Sequence, residues 1–551
     1  MRSAVRLPLA GAAFLALADT AIVALALPPI LRELDTDVAG VAAVLGVYAV
    51  VLAIALPPAE WIRARTGTRS VGLGAIALFA GGSVVCGIAD SLDLLLAARA
   101  VQAVGGAGLL VTAYAVLRRD DTGPRLWAYA ALLGTAAGPA IGGALTQAFG
   151  WRSIFLIQAP AALIAVPGVL APEPRRSRRG ARATGTRFGL LGPVALALLS
   201  GAIAAALFLT VLLLISGWGD EPLEAALVVS VMPLAALMAG AVPGSAAVRA
   251  AGGALLVTAG TAALAFLPTA DAAWTIPPQI AIGLGMGLAL PALAGGLLPE
   301  RSGRDAARLL SLRHLGIALA LVILAPIAQS ELDSTLAETR EKGAAIILDA
   351  PIDPRVKFDV APQLPESVET EDPRGGMSRV FERGRGEIED DEREAYDELT
   401  AQADEVLVAA VNNSFSIAYL VAAGLAGLAA LMLAPAAVAP SGPRAALAFG
   451  AVVLAALAVA GFAAVADEQR PAEVVIQDPC EDRDSPGSGG IAGFLQDAAL
   501  VALDEVACRA GSSREELVLA MVDEEAAREY EERYDVDPRS VIDLAETVLP
   551  G

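Results

Sequence analysis

The sequence predicts an all-α integral membrane protein that crosses the bilayer many times. Hydrophobic residues make up 56% of its 551 residues and its mean hydropathy is +0.61. Only 18% of the residues are charged, below the roughly 25% of soluble proteins. The apolar residues recur in blocks of about 20 or more, the length at which a helix crosses the ~30 Å hydrocarbon core.

The formal net charge of −21 is unevenly divided along the chain. Residues 330–410 hold 22 acidic and 9 basic residues, and residues 466–551 hold 22 and 7. The rest of the chain has 16 acidic and 23 basic residues, a net charge of +7. Two acidic, water-exposed segments are therefore attached to a membrane-embedded part that is weakly basic. Such blocks are typical of solvated surface, and no nucleic-acid partner is expected.

The apolar blocks predict thirteen membrane-spanning helices. They cover 8–31, 39–61, 71–89, 93–117, 125–148, 153–172, 189–216, 224–243, 251–268, 275–298, 309–329, 411–434 and 444–465. The first block is too long for a signal peptide, contains Asp19 and lacks a convincing cleavage site, so we assign it as the first span.

The arginines predict the orientation of these spans in the plasma membrane. If the N-terminus is cytoplasmic, the inner loops hold Arg63, Arg65, Arg69, Arg118, Arg119, the segment 174–187, Arg249, Arg301, Arg304, Arg308 and Arg444. The outer turns carry acidic residues instead, among them Asp35, Asp90 and Asp220. This asymmetry follows the positive-inside rule. The odd number of spans then places the C-terminus outside the cytoplasm.

The cysteines agree with an external tail. Cys86 lies inside the third predicted span, whereas Cys480 and Cys508 both lie in the tail. An exported compartment permits a disulfide between these two residues. Two free thiols in a cytoplasmic domain are the alternative interpretation.

Both acidic segments are predicted to be largely helical. The outer loop 330–410 starts as a continuation of span eleven and ends as a helix leading into span twelve, with an irregular, proline-rich stretch over 349–376. The tail is predicted to be a small helical domain. Neither segment offers a nucleophile–base pair or a metal-ligand cluster, so we expect no enzyme activity, no cofactor and no metal.

A glycine repeat marks the fifth span. Gly134, Gly138 and Gly142 recur every four residues and therefore share one helix face, and Pro139 kinks the helix. Small residues on one face let another helix approach closely. The alternative is a glycine-rich packing face of the kind found in any multi-span protein.

Charged residues also lie deep inside the spans. Asp19 is near the middle of the first span, where a charge costs about 2.5–3.5 kcal/mol even on insertion scales. Arg99 and Gln102 share one face of the fourth span. Such residues face a protein interior or a wet cavity. There Asp19 can bind and release a proton or a cationic substrate, and Arg99 and Gln102 can tune the pKa of Asp19 or serve as its partner. A purely structural ion pair is the alternative.

These segments resemble the major facilitator superfamily, and within it the drug:proton antiporters usually described as having fourteen helices. "LADTAIVALALPPI" is similar to that group's first-helix motif, and "RAVQAVGGAG" to its fourth-helix Arg-x-x-Gln-Gly motif with Ala103 at the glycine. "GTAAGPAIGG" is similar to the fifth-helix antiporter motif, which adds Gly143, and "GWRSIFLI" follows it at 150–157.

The loop after the second span departs from the family pattern Gly-x-Leu-x-Asp-Arg-x-Gly-Arg-Arg. "EWIRARTGTRS" puts Glu60 at the glycine and Ala64 at the aspartate, but it keeps Arg65, Gly67 and Arg69. In the superfamily this loop latches the two halves together in one conformation. The substitutions leave open whether the usual gating contact forms.

The resemblance implies a major facilitator fold of two six-helix bundles plus one extra C-terminal helix, because 188–217 has room for only one span. The predicted parts are an N-terminal bundle at 1–172, a basic cytoplasmic linker at 173–188, a C-terminal bundle at 189–434 that includes the insertion 330–410, a thirteenth helix at 444–465 and an acidic helical extracytoplasmic domain at 466–551.

The resemblance also implies a secondary active transporter, which exports small amphiphilic or cationic molecules by alternating access and couples this to protons. Its partners are then the small-molecule substrate, protons and the lipid bilayer. One alternative is a carrier dedicated to one envelope lipid or metabolite. Another is a non-transporting scaffold or sensor whose outer segments bind an envelope partner. The altered second loop favours the scaffold, whereas Asp19, Arg99 and the glycine motif oppose it.

Overall fold

The computed structural model describes most of the chain. The described residues are 3–119, 123–171, 188–239, 242–297, 302–353, 356–357, 360, 373–388, 392–437, 442–471, 474–481, 483, 486, 490–522 and 524–538. The predicted linker 173–188 lies outside them except for Phe188, as does most of the proline-rich stretch 349–376. Within the described residues every regular element is a helix.

The N-terminal half contains eight helices in its described part, because two of its six predicted spans are broken. They are α1 (Ser3–Ala24), α2 (Leu27–Glu33), α3 (Val38–Thr66), α4 (Thr68–Gly87), α5 (Leu92–Leu117), α6 (Gly123–Phe149), α7 (Arg152–Leu163) and α8 (Val166–Leu170). The breaks precede prolines: Pro28 and Pro29 lie in the first turn of α2, and Pro167 lies in the first turn of α8. Proline has no N–H to continue a helix and favours its first turn.

The C-terminal half continues the same pattern. Its helices are α9 (Leu191–Leu212), α10 (Pro222–Val229), α11 (Val231–Met238), α12 (Ala246–Ala263), α13 (Ile276–Leu297), α14 (Gly303–Asp349), α15 (Pro373–Gly384), α16 (Arg393–Ala437) and α17 (Gly442–Asp467). A π-helical turn, Leu213–Gly217, extends α9. The eighth predicted span is divided at Ser230, which caps α10 and precedes α11.

These helices account for the predicted spans. Among the described residues, ten helices are long and apolar enough to cross a membrane. The shorter apolar segments Pro222–Met238 and Val453–Asp467 lie in the eighth and thirteenth predicted spans, and α6 occupies the fifth. The prediction of an all-α, multi-span membrane protein is therefore confirmed.

Two helices are longer than a single span requires. α14 has 47 residues and α16 has 45, so each is about 70 Å long at 1.5 Å per residue. The hydrocarbon core is only ~30 Å thick. Helical continuations of spans eleven and twelve were predicted, and α14 and α16 have the length that such continuations require.

The chain divides into two compact units. The first comprises 1–215, 220–330 and 415–468, and the second comprises 216–219, 331–414 and 469–551. In the first unit α1 packs along α6, α4 and α3 pack along α5, and α12 packs along α13. Tyr48, Phe79 and Leu110 are fully buried in the core of its N-terminal half.

The second unit ends in three tail helices, α18 (Gly490–Ala510), α19 (Arg514–Val522) and α20 (Glu524–Tyr534). Their small core contains Ala507, Leu517, Ala520 and Tyr530. A disulfide joins Cys480 to Cys508 across a sequence separation of 28. The tail is thus a small helical domain that is cross-linked by one disulfide.

A buried charge cluster holds the second unit together. The Arg514 guanidinium, whose side chain is 2% exposed, contacts Asp349 Oδ1 at the end of α14 at 2.7 Å and Glu515 Oε1 at 2.9 Å. Arg483 Nη1 contacts the same Glu515 oxygen at 2.9 Å. Because charges taken out of water must be paired, these contacts fix the tail helices to the last turn of α14.

Removing the disulfide should loosen the second unit. Replacing both Cys480 and Cys508 by Ser is expected to lower its free energy of unfolding by roughly 2–4 kcal/mol, because the unfolded chain gains conformational freedom. The rate of tryptic cleavage within the tail, measured on the full chain in membranes, should rise accordingly. Cys86→Ala changes the buried free cysteine and should leave that rate unchanged. Equal cleavage rates in all three proteins would refute a stabilising role for this disulfide.

Candidate functional site

Asp19 lies within α1, and its carboxylate pairs with Arg99 of α5. Arg99 Nη1 lies 3.0 Å from Asp19 Oδ1 and 2.8 Å from Oδ2. Both side chains are fully buried. A charge at this depth is tolerated when a partner compensates it. Both residues were predicted as site residues from separate spans, and the structure brings them into direct contact.

Arg99 has further partners that do not depend on Asp19. Its Nε donates to the carbonyl of Val44 at 3.2 Å. Its guanidinium lies 4.2 Å from the centroid of the Tyr48 ring and 5.6 Å from that of Phe155. Aromatic faces attract cations through their quadrupole. Arg99 therefore keeps favourable contacts even when the charge of Asp19 is removed.

Gln102 extends the ion pair into a polar cluster. Its Oε1 accepts a hydrogen bond from Arg99 Nη1 at 2.7 Å, and its Nε2 donates to Ser83 Oγ and to Gln158 Oε1, each at 2.9 Å. The cluster thus joins side chains from α1, α4, α5 and α7. Gln158, which is 1% exposed, was not singled out from the sequence. The signal that could have revealed it is a lone amide in the apolar sixth span.

The segment "GWRSIFLI" contributes a second set of polar contacts, between the start of α7 and the ends of α2 and α4. Trp151 Nε1 donates to Glu33 Oε2 at 2.5 Å, and Arg152 also binds the Glu33 carboxylate. Arg152 Nη2 donates to the carbonyl of Ala89 at 2.9 Å. The motif residues therefore fasten the start of α7 to the ends of α2 and α4.

The glycine repeat of α6 faces α1. A Cβ added to Gly134 would lie 2.8 Å from the carbonyl oxygen of Phe14, and one added to Gly142 would lie 2.3 Å from that of Ile22. A Cβ on Gly138 would lie 2.6 Å from the Cβ of Ala21. The three glycines therefore permit the approach of α6 to the helix that carries Asp19. Pro139 lies inside α6 on the same stretch and is buried.

Gly143 has a different neighbour from the other motif glycines. A Cβ there would lie 2.3 Å from the Cβ of Ala226 and 2.5 Å from the carbonyl oxygen of Pro222, both in α10. Nearby, Gln147 Nε2 donates to Glu221 Oε2 at 2.5 Å, and its Oε1 accepts from the backbone N–H of Leu223 at 2.9 Å. The motif thus packs α6 against both halves of the protein.

Gly142→Ala should disturb this packing. The added methyl group would overlap the backbone of α1, and overpacking of this kind typically costs about 1–3 kcal/mol. We expect a lower melting temperature of the detergent-purified protein. Gly11→Ala is the matched control on α1, because an added Cβ there meets no atom within 4 Å. Equal melting temperatures for the two variants would contradict the close approach of α6 to α1.

The three residues predicted for the gating loop do not form a buried contact. Arg65 is exposed and lies over the Trp61 ring, with its Cζ 3.5 Å from the ring centroid. Gly67 joins α3 to α4 with a φ of 93°, a value that favours glycine. Arg69 is exposed.

The buried polar contacts of this loop belong to Glu60 and Arg63 instead. Arg63 Nε and Nη2 bind the two oxygens of Glu60 at 2.6 and 2.8 Å, and Arg63 Nη1 donates to Thr68 Oγ1 at 3.2 Å. Two parallel bonds of this kind make a strong, oriented pair. Glu60, which departs from the family pattern, therefore has a defined structural partner.

Glu60 also reaches the second half of the protein. A Cβ added to Gly303, the first residue of α14, would lie 2.1 Å from Glu60 Oε1. Further along the same helix pair, Ser311 Oγ donates to the carbonyl of Ala53 at 2.5 Å, and Gln329 Oε1 accepts from the backbone N–H of Val38 at 3.3 Å. α3 and α14 are therefore in contact at three levels, between Glu60 and Val38 of α3 and between Gly303 and Gln329 of α14. These cross-half contacts were not predicted from the sequence.

Two halves built from apolar helices, with a buried ion pair in the first, define a multi-span membrane protein. The chain belongs to the Major Facilitator Superfamily, whose family model matches residues 9–325, more than half of its length.

Curated relatives match a shorter part of the chain. The chain is 35% identical over 161 residues to the multidrug resistance protein B homolog of Mycobacterium tuberculosis, a match that covers 28% of this chain and 30% of that protein. It is 32% identical over 162 residues to the putative multidrug resistance protein MdtD of Klebsiella pneumoniae, covering 28% of this chain and 34% of that protein. The chain thus spans about a third of the length of these relatives.

A solved structure matches the fold over most of the chain. The crystal structure of a bacterial homologue of the human lysosomal transporter Spinster, in an inward-facing and unoccupied conformation, superposes with a TM-score of 0.54. The match covers 80% of this chain and 99% of that protein at 16% identity. At this identity the likeness establishes the fold.

Proposed function

We propose that this protein is a secondary active transporter that exports small amphiphilic or cationic molecules in exchange for protons. The observation that carries the proposal is the fully buried Asp19–Arg99 pair within the first half. Ionisable residues inside a membrane protein mark substrate or proton pathways by default. The names of the curated relatives, both multidrug resistance proteins, support export of small molecules.

The proposed coupling step is a proton exchange on Asp19. When the site opens to the outside, the carboxylate takes up a proton and loses its attraction to Arg99. Arg99 then keeps its contacts to Val44 and Gln102. When the site opens to the inside, the proton leaves and the ion pair re-forms. Leaving a buried charge without its partner destabilises a protein by roughly 3–5 kcal/mol. Protonation of Asp19 can therefore shift the balance between two conformations of the protein.

A cationic substrate competes with Arg99 in this scheme. Since Arg99 already neutralises Asp19, the cluster carries no net charge as long as the pair is closed. A cation therefore binds only where Arg99 has moved away from the carboxylate. Binding of substrate and protonation are then mutually exclusive at Asp19, which is the requirement for exchange.

The Glu60–Arg63 pair serves as the proposed gate on the predicted cytoplasmic side. It contacts the first residue of α14 in the opposite half, and α3 and α14 must separate when the halves rock apart. Glu60 thereby provides an acidic latch, although Ala64 occupies the position where the family has aspartate. The loop that departs from the family pattern is in this way compatible with alternating access.

A scaffold or sensor that binds an envelope partner is the second candidate. It is favoured by the second unit, whose disulfide and buried Arg514 cluster give it a fixed structure. A dedicated exporter of one envelope lipid or metabolite shares the mechanism above and differs in substrate.

Transport in reconstituted vesicles separates these candidates. The full chain is placed in proteoliposomes with an imposed pH gradient, and uptake is followed for ethidium, for a neutral dye and for a fluorescent phospholipid. Proton-dependent ethidium uptake supports the multidrug proposal, and uptake of the phospholipid alone supports the dedicated exporter. Vesicles that show no proton-dependent flux of any probe would exclude the proposal and favour the scaffold.

A further inference from the structure

We infer that Gln158 of α7 is a positioning residue that holds the Asp19 carboxylate in its ionised form. This inference rests on the proposed function, in which Asp19 exchanges a proton. Gln158 completes a ring of four side chains: Asp19, Arg99, Gln102 and Gln158. Three of its contacts are hydrogen bonds or ion pairs described above, and the fourth, between Gln158 and Asp19, is the one that we infer.

The direction of each hydrogen bond in the ring follows from Arg99. A guanidinium can only donate, so the atom of Gln102 that contacts Arg99 Nη1 at 2.7 Å must be its oxygen. The nitrogen of Gln102 then donates to Gln158 at 2.9 Å, and the atom that accepts must be the oxygen of Gln158. The amide nitrogen of Gln158 is therefore left as a free donor.

This donor has one suitable acceptor in the cluster. Among the described residues, Gln158 Nε2 is buried without a hydrogen-bond partner, and Asp19 Oδ2 is buried with the Arg99 ion pair at 2.8 Å as its contact. Gln158 belongs to the same cluster through its 2.9 Å bond to Gln102, whose oxygen shares Arg99 Nη1 with Asp19. A buried donor without a partner costs about 1–3 kcal/mol. A hydrogen bond between Gln158 Nε2 and Asp19 Oδ2, direct or through one water, would remove that cost.

An ionised carboxylate only accepts hydrogen bonds, whereas a protonated one also donates. A donor from Gln158 therefore favours the ionised form and opposes protonation. Of the other described side chains packed around Asp19, the titratable ones that face it are Arg99 on α5, Tyr48 on α3 and Cys86 on α4. Gln158 adds a neutral donor to this set, and α7 directs its own charged residue, Arg152, toward Glu33.

Two substitutions separate positioning from packing. Gln158→Leu keeps the approximate volume but removes both the acceptor for Gln102 and the donor for Asp19. Gln158→Glu keeps an acceptor for Gln102 and places a second carboxylate beside Asp19, and like charges oppose each other's ionisation. Protonation of Asp19 should become easier in both variants, and more so in Gln158→Glu.

Infrared titration of the purified full chain in lipid tests this without any transported substrate. The signal is the carbonyl stretch of a protonated carboxyl group, assigned to Asp19 by its loss in the matching Asp19→Asn protein. We expect the titration midpoint to rise by about one pH unit in Gln158→Leu and by more in Gln158→Glu. Thr112→Val is the control, since it removes a buried hydroxyl with no described partner and should leave the midpoint unchanged.

The outcomes distinguish this inference from the transport proposal. A midpoint that stays at its wild-type value, or falls, in Gln158→Leu overturns the role of Gln158, whether or not the protein transports. If the wild-type band lies below the accessible pH range, the variants should bring it into range, and a continued lack of the band also overturns the inference. Should Gln158→Leu fail to fold, Gln158→Met, which also lacks the amide donor and adds no charge, decides the result.

Discussion

Arg99→Ala is expected to abolish proton-driven transport and to lower the free energy of unfolding by roughly 3–5 kcal/mol, the effect of leaving a buried charge unpaired. The carboxylate of Asp19 would lose the only cation that contacts it among the described residues. Gln102 Oε1 would lose its donor as well. Thermal denaturation of the purified protein and transport in proteoliposomes measure the two effects.

A double substitution separates charge from packing. Asp19→Asn combined with Arg99→Gln removes both charges and leaves two polar amide side chains, of which the Gln is shorter than the Arg that it replaces. Since no buried charge is then unpaired, stability should return close to the wild-type value, whereas proton-driven transport should remain absent. A double variant as unstable as Arg99→Ala would mean that the ion pair is not the source of the loss.

Gly303→Ala is expected to weaken the contact between Glu60 and the start of α14. The added Cβ would lie 2.1 Å from Glu60 Oε1, so the carboxylate must move, which disturbs its paired bonds to Arg63. Hydrogen bonds to charged groups are worth roughly 1.5–3 kcal/mol. The conformation in which α3 and α14 touch at this end should therefore lose a similar amount of stability.

Cysteine labelling measures this change directly. In a background where Ala53, buried beneath Ser311, is replaced by Cys, a membrane-impermeant maleimide added to inside-out vesicles should react faster in Gly303→Ala than in the parent. Gly295→Ala is the matched control, because an added Cβ there meets no atom within 4 Å. Equal labelling rates in the two alanine variants would rule out the proposed latch.

The fold could be predicted from the sequence because a membrane helix is recognisable from its own residues. Apolar blocks of sufficient length identify spans one by one, and the breaks within spans follow from prolines such as Pro28 and Pro167. The contact face of α6 could also be predicted, since Gly134, Gly138 and Gly142 share one side of a helix. Which helix occupies that face could not be predicted from their spacing.

The site was predicted less completely because its contacts cross between helices. Asp19 and Arg99 are conspicuous as charges within apolar spans, but Gln158 is a neutral amide whose importance depends on Gln102 lying opposite. Glu60 was interpreted as a departure from a motif, and its partners are Arg63, three residues away, and Gly303 in the other half. A single sequence contains no signal for a partner that is hundreds of residues away.

The most direct test of the account compares wild-type protein with Asp19→Asn in proteoliposomes that carry an imposed pH gradient. The amide is nearly isosteric and cheaper to bury, and Arg99 keeps its contacts to Val44, Gln102 and the Tyr48 ring, so insertion, folding and binding of neutral ligands should be preserved. Wild-type protein should accumulate ethidium against its concentration gradient. Asp19→Asn should let a neutral dye equilibrate across the membrane, but it should accumulate neither ethidium nor the neutral dye against a concentration gradient. Accumulation by Asp19→Asn at the wild-type level, with the same dependence on the pH gradient, would contradict the assignment of Asp19 as the proton-coupling residue.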